Sequence, residues 1–162
     1  MDQVLVPDCG GLIQAVAFVI PSAFFSETDA EVCNCKPLLP FENLISRLPP
    51  EIAVYAIIDH GHSSCAKRWI QSSLAGRNVA LVPLDEHSSP VPSPWPQDLF
   101  HVRLSHGDGG HACPGIIGDA DSVVAPALAH YLGYQFLPSG LVLPGGNQLE
   151  GPDFRVIGHA GF

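Results

Sequence analysis

Three uninterrupted apolar runs constrain the fold of this chain more than any other feature. They are AVAFVI at 15–20, AVYAII at 53–58 and VALVPL at 79–84. Each is rich in β-branched residues and lacks the polar–apolar alternation of a strand with one wet face. Such runs suit strands covered on both faces, and these belong in sheets joined by helical crossovers. The stretches between them have the required helical period. PFENLISRLPP at 40–50 is closed by Pro49 and Pro50. SSCAKRWIQSSLAGRN at 63–78 begins with Ser63 or Ser64 as a cap, sets Ala66, Trp69, Ile70 and Leu74 on one side, and stops at Gly76.

The second half continues the pattern. GDADSVVAPALAHYLGY at 118–134 predicts a helix that starts near Asp121, carries Val124, Leu128 and Leu132 on one stripe, and stops at Gly133. Pro126 falls near its first turn, where a missing N–H costs least. LFHVRL at 99–104 alternates like a strand, YQFLP at 134–138 is a further strand, and FRVIG at 154–158 follows a Gly-Gly turn as part of a hairpin. The order is that of an α/β protein. SHGDGGHACPGIIGDAD at 105–121 is expected to be a mobile loop. No shift in composition marks a boundary, so residues 1–162 read as a single domain.

Bulk properties remove several classes of function. With 46% hydrophobic and 14% charged residues, the chain is not expected to be disordered. Its formal charge of −9 repels phosphate backbones, so no nucleic acid is expected as a partner, and it favours cationic ligands. Five cysteines, at positions 9, 33, 35, 65 and 113, form no disulfide framework. The run GLIQAVAFVIPSAFF at 11–25 is broken by Pro21 and too short for a bilayer. The first basic residue is Lys36, so no signal peptide is expected either, and the predicted setting is cytoplasmic with no membrane contact.

The segment SPVPSPWPQDLFHVRL at 89–104 has proline at every second position from Pro90 to Pro96. Polyproline recognition needs prolines three apart, because that helix has three residues per turn. Two readings stand: a linker, or a stiff extended approach that fixes where Trp95, Gln97 and Asp98 point.

PWPQDLF resembles the Trp-x-(Gln/Arg)-Asp motif of the guanidino-group-modifying superfamily, the penteins, with Gln97 closer to its peptidylarginine deiminases than to its agmatine deiminases. LPGGNQLEGPDFRVIG at 143–158 is similar to the Gly-Gly-(Asp/Asn)-x-Leu segment and short hairpin of dimethylarginine hydrolases and arginine deiminases. The resemblance covers residues 54–162. It implies an α/β propeller, of which this length holds about half of the five modules, and a parent reaction that hydrolyses a guanidine C–N bond in arginine or a derivative.

On that resemblance, Asp98 is the catalytic-site acid that grips the guanidinium with two parallel charge-assisted hydrogen bonds. Trp95 walls the pocket, Gln97 orients the acid, and Asn147 joins the substrate site. No cofactor and no metal are called for. The partner would be a guanidino small molecule or an arginine side chain. The family's His-x-Asp element and late nucleophilic cysteine have no counterpart here, since the only later histidine is His159 and no cysteine follows Cys113. The chain is therefore expected to be an incomplete member, inactive by itself and prone to self-association through open propeller edges. The alternative is a non-catalytic module that binds guanidinium compounds or a partner.

Plainer readings stand beside these. Asp98 also suits an exposed or turn-forming acid before a strand, and Gly-Gly-Asn147 is good turn chemistry. His106, Asp108, His111 and Cys113 have no standard zinc spacing. Asp59 and Asp85 end predicted strands, where α/β folds place ligands and where caps and salt bridges also occur. His60 or His62 with Cys65 would make a cysteine nucleophile site at a helix start, or a polar turn.

Overall fold

The three apolar runs do form adjacent strands. A computed structural model of the chain describes residues 3–5, 13–21, 24–25, 38–85, 99–106, 112–119, 121–139, 148–150 and 155–157. In chain order the elements are β1 (Gln3–Leu5), β2 (Ala15–Ile20), α1 (Leu39–Arg47), β3 (Ala53–Ile58), a 3₁₀ turn (His60–His62), α2 (Ser63–Ser73) and β4 (Val79–Pro83). They continue with β5 (His101–His106), β6 (Ala112–Asp119), α3 (Val124–Leu132), β7 (Gln135–Ser139), β8 (Gln148–Glu150) and β9 (Arg155–Ile157). The chain divides into two compact units, Ile13–Pro94 and Met1–Leu12 together with Trp95–Phe162. The architecture is α/β with parallel strands, as the sequence predicts.

In the unit Ile13–Pro94, β2, β3 and β4 are parallel neighbours in that order, with Val16 opposite Val54 and Val54 opposite Val79. The period-two geometry of strands then puts Ile20, Val54, Ala56 and Ile58 on one face, and all four are buried in a cluster with Ile45, Ala66, Trp69 and Leu74 from the helices. The other face buries Val19, Ile57 and Val82 as well, which is why the runs are continuous rather than alternating. Burial deepens toward the carboxyl ends: Ala15 is exposed, whereas Val19 and Ile20 are shut away.

Two side chains tie the helices to this core. Trp69 is 1% exposed, and its Nε1–H donates to Glu42 Oε1 at 2.7 Å, joining α2 to the first turn of α1. Burying such a ring is worth on the order of 3 kcal/mol, provided its N–H finds a partner. Arg77 Nη2 donates to the carbonyls of Ile45 and Leu48. A guanidinium there satisfies acceptors that a helix end leaves open and complements the negative end of its dipole. Beyond β4, the Leu84 N–H donates to Ile58 O at 2.8 Å. Backbone groups alternate sides along a strand, so the nitrogen of Pro83 faces away from β3, where a proline breaks no ladder bond.

In the other unit the strand order is β1-β5-β6-β7, antiparallel except for the parallel pair β6 and β7 that α3 connects. The mobile loop expected at 105–121 is corrected here: residues 112–119 form β6, paired on both sides. Gly118 shows why glycine stands in this strand. A Cβ added there would lie 2.4 Å from Ala125 Cβ and 3.2 Å from Leu99 O, so α3 packs directly against bare backbone. Pro114 is opposite Leu104 of β5, while the pairing with β7 begins one residue later at Gly115.

Helix α3 starts at Val124 rather than near Asp121. The Ala125 N–H donates to Ser122 Oγ at 3.3 Å, and the Asp121 N–H donates to Asp119 Oδ1 at 3.1 Å. It ends as expected at Gly133, whose φ of +68° is the left-handed cap that glycine adopts without a Cβ penalty. Val124 and Leu128 of its apolar stripe are buried. β8 and β9 form an antiparallel pair, Leu149 opposite Val156, where the sequence predicts a hairpin. No helix among the described residues is long and apolar enough to cross a membrane.

Candidate functional site at the carboxyl end of strand β3

Asp59, His62 and Cys65 follow one another in the chain where β3 gives way to α2. Ile58 ends the strand fully buried, and the chain then turns through a single 3₁₀ turn in which the His62 N–H donates to Asp59 O at 3.1 Å. This turn keeps Asp59 at the carboxyl end of a parallel sheet, the position where open α/β sheets bind ligands. It also makes His62 the N-cap residue of α2. The serine cap expected at Ser63 or Ser64 is not used: the helix begins at Ser63, and the cap position makes no side-chain hydrogen bond.

Asp59 is the unusual group. The residue is half-buried, yet both carboxylate oxygens have less than 1 Å² of accessible surface and, among the described residues, accept no hydrogen bond. Among the described residues it thus serves neither as a helix cap nor as a salt-bridge partner, the two common fates of a strand-end acid. His62 Nδ1 is enclosed and unpartnered in the same way, and the imidazole stacks on Phe25 with ring centroids 6.0 Å apart and planes at 22°. Buried polar groups without partners are few in folded proteins, and each calls for an explanation.

Cys65 follows in the first turn of α2 as a half-buried free thiol, and Arg68 Nη2 donates to its Sγ at 3.5 Å. A Cys–His nucleophile needs the imidazole bonded to the sulfur. His62 Nδ1 makes no such bond, so the geometry gives Cys65 a guanidinium neighbour and no base at that nitrogen. Asp85, after β4, is exposed. Among the described residues no three His, Cys, Asp or Glu side chains gather to hold a metal ion.

Trp95, Gln97, Asp98 and Asn147, the residues carrying the guanidino resemblance, lie outside the described residues, as do Cys33, Cys35, Asp108, His111 and His159. The elements around the motifs are described. Asp98 precedes β5, which begins at His101, and Asn147 directly precedes β8. The strand predicted at 99–104 therefore starts two residues later than expected. His106 ends β5 and Cys113 lies in β6, so neither belongs to a loop. Sequence reasoning weighed Asp59 as one strand-end acid among several. Position alone does not separate it from Asp85, which also follows an uninterrupted apolar run and is exposed; what distinguishes Asp59 is the turn into α2 that encloses its carboxylate.

Comparison of the chain with models of known protein families gives no match, and comparison with curated protein sequences gives none either.

Proposed function

We propose that the chain is a guanidinium-binding part of a guanidino-group-modifying protein of the pentein type, built as about half of its α/β propeller. In this reading Asp98 accepts two parallel N–H bonds from the guanidinium, Trp95 offers an indole face to the cation, and Gln97 and Asn147 complete that wall. The negative chain raises the local concentration of such ligands. In this reading the two motifs supply the binding of the guanidinium, and the attacking and protonating groups are not assigned to any residue of these motifs. A reducing, cytoplasmic setting and association through open sheet edges belong to the same proposal.

The observation that carries the reading is the placement of the two motifs. Each runs directly into the first strand of an antiparallel pair, β5 with β6 and β8 with β9, and a parallel crossover through α3 lies between them. The resemblance implies one strand–helix–strand unit between the motifs, and α3 followed by β7 supports that order, while the extra strand β6 was not expected from it. The test is calorimetric titration of the 162-residue chain with methylguanidinium, against the neutral isostere methylurea. Asp98→Asn should weaken methylguanidinium binding by about 10- to 100-fold, the equivalent of a charge-assisted hydrogen bond or two. Equal affinity for methylurea, or an unchanged Asp98→Asn variant, refutes the proposal.

A further inference from the structure

We draw no further inference here: the strongest candidate, the half-buried free thiol of Cys65 in the first turn of α2 with Arg68 Nη2 at 3.5 Å from its sulfur, is a lone cysteine at a helix start, and no other side chain among the described residues points to what it would bind.

Discussion

Replacing Glu42 by alanine should unlatch α1 from α2, and the size of the effect follows from one bond. Trp69 is almost fully buried and gives its only N–H to Glu42 Oε1 at 2.7 Å. Without that acceptor the indole N–H is left unsatisfied, at a cost of about 1–3 kcal/mol. Glu42 is also the acid in the first turn of α1, where a negative charge contributes about 0.3–1 kcal/mol against the helix dipole. Alanine's higher helix propensity returns only a few tenths, so Glu42→Ala should cost about 2–3 kcal/mol. Glu42→Gln keeps an acceptor and loses only the charge, and should cost about 0.5–1.5 kcal/mol. The assay is urea unfolding followed by Trp69 fluorescence in a Trp95→Phe background, since the chain has only these two tryptophans. With urea slopes of about 1–3 kcal/mol per molar, the alanine variant should move the midpoint down by roughly 1–2 M. Equal midpoints for the alanine and glutamine variants would refute the reasoning, because the charge and not the acceptor would then be what matters.

Two further substitutions test the packing. Gly118→Ala should destabilise by about 1–3 kcal/mol in thermal melting, because its methyl group collides with Ala125, whereas Gly61→Ala, which meets nothing within 4 Å, should stay within about 0.5 kcal/mol of wild type. Arg77→Ala should cost about 1–3 kcal/mol and speed amide exchange in α1, because two carbonyls at that helix end lose their charged donor.

The parallel sheet was the most legible part of this sequence. β2 and β3 have the bounds that their apolar runs predict, because a strand covered on both faces must be apolar throughout and its ends show as a change of composition. Strand β6 was hidden for an equally physical reason. ACPGIIGD contains one proline and two glycines, which read locally as a loop. Gly118 is there to admit Ala125 of α3, and Pro114 lies outside the pairing with β7. Neither contact can be seen without the partner element. The start of α2 failed in a milder way, since Ser63 and Ser64 looked like caps while the chain inserted a 3₁₀ turn and placed His62 in that position. For the candidate site, the sequence marked Asp59 as an acid at a strand end. Only the structure shows its two oxygens enclosed, with no donor among the described residues.

The proline at the end of β4 bears on how copies of this chain can aggregate. Along the flank of β4 turned away from β3, the backbone positions are Val79, Leu81 and Pro83. Pro83 has no hydrogen to offer, and Val79 gives its own to Arg77 O at 3.0 Å. That leaves Leu81. A strand arriving from another molecule would need a row of donors to grip, and a flank with one is a poor template for polymerisation. With fewer donors this flank is a weaker template, and the exposed side chains of Leu39 and Leu44 on α1 offer a non-templated, side-chain route to clumping.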